Sequence, residues 1–188
     1  IKILNKDFDH NCMKTKKTFL ILGGYGTVGS GLSRLLLKET DVNIVVGGTD
    51  TNSGRKFSNL LNKELNSNRS KFVYADAKNT ATIKKALNGV DMIIITAPIP
   101  NKAKEIASLA LEQGVDYMDI LVQNSVVQDL KELSSKITKK KRLFITQAGF
   151  HPGLPAVFIK AGARYFDKYD SANISLAMNA RFAKPEST

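Results

Sequence analysis

The segment Gly24-Tyr25-Gly26-Thr27-Val28-Gly29 sets three glycines two and three residues apart, directly after the apolar run Thr18 to Leu22. That spacing suits a grip on a phosphate-bearing ligand. The first glycine permits a tight turn, the second lets main chain approach a diphosphate, and the third lets a following helix pack closely on the strand. Amide groups at the helix start, together with the positive end of its dipole, then hold anionic oxygens. The spacing alone is a weak signal, because turns use glycine freely; it gains meaning with a strand before it and an amphipathic helix after it.

The end of the next strand decides which nucleotide such a turn accepts. An acidic side chain there accepts bonds from the adenine-ribose hydroxyls of NAD, whereas a cationic one pairs with the 2′-phosphate of NADP. The chain has Gly47-Gly48-Thr49-Asp50 at that point, with Arg55 and Lys56 following. Thr49, Arg55 and Lys56 favour NADP, since a guanidinium pairs with phosphate through two parallel bonds. In the alternative, Arg55 and Lys56 decorate an exposed helix start and Asp50 serves NAD. Ligands of open α/β sheets lie beyond the carboxyl ends of the strands. That rule adds Asp76 and Ala77 after a third strand, where Asp76 would meet the adenine amine. It also adds Thr96, Ala97 and Pro98 after a fourth, along the nicotinamide ribose, and Asp119 after a fifth. Asp76 and Asp119 read equally well as turn or helix-capping carboxylates. His151 follows a sixth strand on the same side. It is a weak catalytic candidate, either relaying a proton or bonding a substrate carboxylate, and reads equally as a brace for the Phe150 to Pro155 turn.

The elements that must position these residues follow from periodicity. Thr18 to Leu22 reads as a strand buried on both faces. Val28, Leu32, Leu35 and Leu36 predict a helix whose apolar stripe faces the sheet, with Ser30, Ser33 and Lys38 turned elsewhere. Asn43 to Val46 closes a βαβ unit of about 30 residues. The alternation continues through a helix with Phe57, Leu60, Leu61 and Leu65, a strand at Phe72 to Ala75, and a helix with Ile83, Ala86 and Leu87. Next come a strand at Asp91 to Ile95, a helix from Ala103 to Leu111, and a strand within Val115 to Ile120. A helix with Val126, Leu130, Leu133 and Ile137 and a strand at Leu143 to Thr146 complete it. Such regular alternation predicts an α/β fold, a Rossmann-type doubly wound parallel sheet. After it, Pro155 opens a helix with Val157, Phe158, Ala161 and Tyr165. Ala172, Ile174, Leu176 and Met178 alternate as a strand of a different sheet. Residues 1–16 are read as an N-terminal extension or leader, with Met13 as the natural start. Residues 17–168 form the dinucleotide-binding unit, and 169–188 the truncated start of a second, mixed α/β domain.

Composition excludes several classes. The 188 residues are 43% hydrophobic and 24% charged, which is ordinary for a globular chain. With Cys12 as the sole cysteine there is no disulfide framework and no thiolate metal site, and no metal is expected. The run Phe19 to Leu22 breaks at Gly23-Gly24, too soon for a signal peptide, and Met92 to Ile95 is too short to span a membrane. A cytoplasmic, reducing setting fits. The net charge of +11 comes from lysines scattered along the chain without aromatic interleaving. Nucleic acid is therefore not expected as a partner. The one dense block, Lys136 to Arg142, reads as a solvated helix end whose cations suit the negative end of the dipole.

Several stretches together resemble the saccharopine dehydrogenase family. They are Gly23 to Gly29, Gly47-Gly48, Ile94-Ile95-Thr96-Ala97-Pro98, Gly114-Val115-Asp116-Tyr117-Met118-Asp119, and Ala148-Gly149-Phe150-His151-Pro152-Gly153-Leu154-Pro155. The resemblance runs from about Lys17 to Asp167 and departs from the family at Thr49, where many members carry arginine. It implies an NAD(P)-dependent oxidoreductase exchanging hydride between nicotinamide and a carbon bearing a secondary amine of an amino-acid-like substrate. It also implies a second domain that shapes the substrate site and contributes to a homodimer. By itself the chain is then expected to bind cofactor without turnover. The alternative is a non-catalytic module that senses dinucleotide state on the same fold.

Overall fold

The computed structural model describes residues 16–168 and 170–175. Its six parallel strands are β1 (Thr18–Leu22), β2 (Asn43–Gly48), β3 (Ser70–Tyr74), β4 (Met92–Ile95), β5 (Asp116–Asp119) and β6 (Phe144–Ile145). They lie in the order β3-β2-β1-β4-β5-β6. This is the Rossmann arrangement, in which the winding direction reverses between β1 and β4 and leaves a crevice beyond their carboxyl ends. Seven α-helices connect and flank them: α1 (Thr27–Glu39), α2 (Thr51–Glu64), α3 (Thr80–Ala86), α4 (Ala103–Glu112), α5 (Asn124–Glu132), α6 (Ser134–Lys139) and α7 (Leu154–Gly162).

Successive side chains of a strand point to opposite faces, and both faces of this sheet are covered. Ile21, Ile44, Val46 and Ile94 form one core with Leu37 of α1 and Leu61 of α2. Leu20, Leu22, Val45, Ile93 and Ile95 form the other with α3, α4 and α5. The unbroken apolar runs in the sequence are thus strands that feed two cores at once.

The helical stripes of α1 and α2 hold in part: Leu32, Leu36, Phe57, Leu61 and Leu65 pack on the core, while Val28, Leu35 and Leu60 do not. The buried residues of α1 are Gly29, Ser33 and Leu37, while Val28 and Leu35 are more than half exposed. In α2 they are Gly54, Ser58 and Leu61, and Leu60 is exposed. The cause is close approach. A Cβ on Gly29 would overlap Gly23 O, and one on Gly54 would overlap the Phe72 ring. Small residues let each helix axis come near the sheet, which rotates the large apolar residues to the flanks of the contact. The two buried hydroxyls are satisfied locally. Ser33 Oγ donates to Gly29 O at 2.7 Å, and Ser58 and Ser70 share a hydrogen bond of 3.0 Å.

The single helix expected over Val126 to Ile137 is two, α5 and α6, joined at Leu133, whose N–H turns back to Leu130 O. The stripe persists across the joint, with Val126, Leu130 and Leu133 buried. The basic block closes the neighbouring helix as well as its own. Lys140 Nζ donates to Leu111 O at 3.0 Å and Arg142 Nη1 to Gly114 O at 2.8 Å, satisfying carbonyls at the end of α4. The strand expected over Ala172 to Met178 is not seen at Ala172 and Ile174, which lie in no strand; Leu176 and Met178 are outside the described residues, as are 1–15 of the expected N-terminal extension.

Candidate functional site

The cleft at the carboxyl edge of the sheet has a volume of about 740 Å3 and is walled by the segments that leave β1, β2, β3 and β4. That volume lies within the range of small-molecule and cofactor sites. Its floor is the glycine turn. Gly23 holds a left-handed backbone, φ 86°, that side chains other than glycine rarely adopt, and its N–H donates to Gly47 O at 2.9 Å. A Cβ on Gly24 would stand 2.8 Å from Ile21 O. Gly26 differs from its neighbours. It is exposed and extended, φ −73° and ψ 175°, and a Cβ there would meet only Gly23 O, at 3.2 Å.

Helix α1 begins at this turn without a side-chain cap, since its N-cap residue is Gly26. The first intrahelical bond runs from Ser30 N–H to Gly26 O. The N–H groups of Thr27, Val28 and Gly29 are therefore left without an acceptor in the helix. By contrast, α2 and α3 are capped by Asp50 and Asn79. Thr27 and Val28 line the cleft, so unpaired donors and the positive end of the α1 dipole meet an open space. That arrangement accepts an anion of phosphate size, and it is the local observation on which the fit of a dinucleotide rests.

The residues singled out in the sequence separate into groups. Tyr25, Gly26, Thr27, Val28, Thr49, Asp76, Ala77, Thr96, Ala97 and Pro98 all line the cleft. Gly24 and Gly29 lie buried behind the turn and hold it to β2 and β4. Asp50 follows Thr49 past the end of β2. Its Oδ1 accepts from Asn52 N–H at 2.9 Å and Ser53 N–H at 3.1 Å, and its Oδ2 from Ser53 Oγ at 2.7 Å. The carboxylate thus caps α2. The Ser53 hydroxyl, and then the Ser53 N–H, hold it below the ordinary aspartate range. Arg55 is exposed on α2 and is not part of the cleft wall. Asp76 faces the cleft while its Oδ1 accepts from Lys78 N–H at 2.9 Å, so it is also a turn carboxylate. The Thr96 hydroxyl turns inward to Leu22 O at 3.0 Å. It ties β4 to β1.

At the end of β5, Asp119 is a brace. Asp119 is fully buried. Its Oδ2 accepts from Tyr117 Oη at 2.8 Å, and its Oδ1 from Leu121 N–H at 3.0 Å, Thr146 Oγ1 at 2.9 Å and Gln147 N–H at 3.2 Å. Burial, then the adjacent carboxylate, pushes the Tyr117 phenol up, so it stays neutral. Asp119 thereby fastens the start of the turn that carries His151. That histidine is exposed and lies off the cleft wall.

Two features escaped sequence reasoning. The Tyr25 ring lies across Gly48, where a Cβ would overlap it, and Tyr25 Oη accepts from Asp50 N–H at 2.9 Å. The glycine at the end of β2 was visible; its reason was not. Lys78 and Lys102 also line the cleft, and neither carries a motif.

Comparison with known proteins gives the family. Residues 19–147 match the family described as the saccharopine dehydrogenase NADP binding domain. The chain belongs to that family. Its cofactor is NADP(H). No curated protein matches the sequence. Among solved structures, the apo histidine-tagged saccharopine dehydrogenase (L-Glu forming) of Saccharomyces cerevisiae superposes with a TM-score of 0.62 at 21% identity. The match covers 77% of this chain and 30% of the yeast one, so the matched region spans under a third of that protein. A short-chain dehydrogenase/reductase of Veillonella parvula, solved in complex with NADP, matches at 16% identity and a TM-score of 0.47, over 56% of this chain and 47% of the other. Pen from Bacillus thuringiensis matches at 18% identity and a TM-score of 0.47, over 55% and 38%. Among the described residues no helix is long and apolar enough to cross a membrane, and no cluster of three or more metal-ligating side chains occurs.

Proposed function

We propose that this chain is the cofactor-holding part of an NADP-dependent oxidoreductase that moves hydride between nicotinamide and a carbon bonded to nitrogen in an amino-acid-like substrate. The uncapped start of α1, opening into the cleft at the β1/β4 reversal, carries this reading. The N–H groups of Thr27, Val28 and Gly29 take the diphosphate. Gly26 leaves room for it, and Gly24 and Gly29 keep helix and strand close. Tyr25 and Thr49 border the adenosine end, with Asp76 and Ala77 beside the adenine. Ala97 and Pro98 border the nicotinamide ribose, with Thr96 fixing that loop to β1. When bound, the cofactor supplies the hydride acceptor or donor, and the protein supplies alignment and exclusion of water.

Amino-acid-like chemistry rests on the family and not on a described substrate pocket. A second, mixed α/β domain beginning within 169–188 would complete the site and the dimer. What supports it is α7, a helix rich in apolar residues with none buried. His151, exposed on the turn fastened by Asp119, is the candidate proton carrier at that side, and His151→Gln is expected to leave nucleotide affinity unchanged. Titration calorimetry tests the core of the reading. The chain should bind NADPH in preference to NADH, and Gly26→Val should bind neither while giving an unchanged circular dichroism spectrum. Undiminished NADPH uptake by Gly26→Val refutes it.

A further inference from the structure

The sheet brings the ends of β2 and β3 to one corner of the cleft. Gly48 pairs with Tyr74 across the two strands, and Ala75 N–H donates to Gly48 O at 3.0 Å. Thr49 and the Asp76-Ala77-Lys78 segment therefore stand side by side, and all four residues line the cleft. Within the cleft wall the cationic side chains are Lys78 and Lys102. Lys102 lies beyond β4, at the far side, and its ammonium is committed to Glu105 at 2.9 Å. Lys78 is exposed and has no carboxylate within ion-pair distance among the described residues. Its own N–H is anchored on Asp76 Oδ1 at 2.9 Å, which fixes where its stem leaves the wall.

NADP differs from NAD by one phosphate monoester on the adenine ribose, roughly −1.5 to −2 in charge near neutral pH. Something at the adenosine end must offset that charge if the site prefers NADP. Asp50 faces the N–H groups of α2, and neither it nor Arg55 is on the cleft wall.

We propose that Lys78, in the loop after β3, is the specificity-determining cation that pairs with the 2′-phosphate, with the Thr49 hydroxyl donating beside it. This rests on the proposed placement of the dinucleotide along the cleft. Asp76 is the acidic side chain of the same corner. With Oδ1 held by Lys78 N–H, its second oxygen stays available to accept from the adenine amine. An ammonium suits the task because a flexible stem carries a compact charge to a phosphate at the mouth of a cleft.

Calorimetric titration of the chain with NADPH and with NADH tests this in four proteins: wild type, Lys78→Ala, Lys78→Arg and Arg55→Ala. A charge-assisted bond at a partly exposed site predicts that Lys78→Ala weakens NADPH about tenfold. NADH should stay within about twofold, because it lacks the group that Lys78 meets. Lys78→Arg should keep the NADPH preference, and Arg55→Ala should change neither affinity. Lys78 carries no packing role, so thermal melting should coincide in all four. An unchanged NADPH to NADH ratio in Lys78→Ala overturns the assignment, and loss of preference in Arg55→Ala instead moves the phosphate site to α2. A wild-type chain that binds neither nucleotide overturns the cofactor placement itself, a result distinct from a wild type that prefers NADPH with Lys78→Ala unaltered.

Discussion

At the scale of single residues, glycines of one motif do different work. Gly29 is a packing residue: a methyl group there overlaps Gly23 O and comes within 2.8 Å of Thr96 Oγ1 and Gly24 Cα. Because that space is backbone, which yields little, Gly29→Ala is expected to destabilise the fold by about 3 kcal/mol. Denaturant unfolding reads this directly. Gly26 faces the cleft, so its substitution should cost less than about 1 kcal/mol and act on nucleotide affinity instead. Asp119 is the corresponding residue on the other half of the sheet. Asp119→Ala removes the acceptor for one buried hydroxyl, another at Thr146 and two N–H groups, with an expected cost of about 3 kcal/mol. If its melting point matched wild type, the bracing role would fall.

At the scale of elements, ends matter as much as faces. The C-terminus of α1 is closed by Arg69, whose guanidinium donates to Leu37 O, Thr40 O and Val42 O. That of α4 is closed by Lys140 and Arg142. These cations offset exposed carbonyls of helix ends, which gives part of the positive charge a structural use. At the start of α2, Asp50 acts with the opposite sign. Its folded carboxylate titrates below the ordinary range, so the stabilisation it gives is fully present above about pH 4 and is lost as the pH falls through its lowered value. Asp50→Asn, whose amide oxygen still accepts from N–H groups, should show a weaker loss of stability over that acid window than wild type. An identical acid limb in the two proteins would contradict the capping role.

At the scale of the whole molecule, the two halves of the sheet present different surfaces. The β1 to β4 side closes around two apolar cores, and its cleft is concave. Past β6 the chain exposes Phe150, Val157, Phe158, Tyr165 and Phe166. Exposed apolar side chains grouped on one segment promote association. The paired substitution Val157→Ser and Phe158→Ser should change stability by no more than about 0.5 kcal/mol per site, since neither side chain is buried. It should reduce concentration-dependent association in analytical ultracentrifugation. A large loss of stability would show that α7 is packed in solution.

Much of this was legible in the chain alone. Apolar runs at Thr18 to Leu22 and Met92 to Ile95, each flanked by helical periods, fixed the parallel two-faced sheet, because burial on both faces leaves no polar alternation. The glycine spacing marked the turn between β1 and α1, because a Cβ on Gly24 or Gly29 would overlap backbone there. Tertiary structure decided the rest. Helices α1 and α2 meet the sheet through Gly29, Ser33, Gly54 and Ser58, a choice made by the closeness of two backbones and not by hydrophobic period. Asp50 came to cap α2, and Lys78 to line the cleft, for a related reason. A side chain's partner is set by which loop ends lie next to one another, and adjacency between the ends of β2 and β3 exists only once the strands are paired in register.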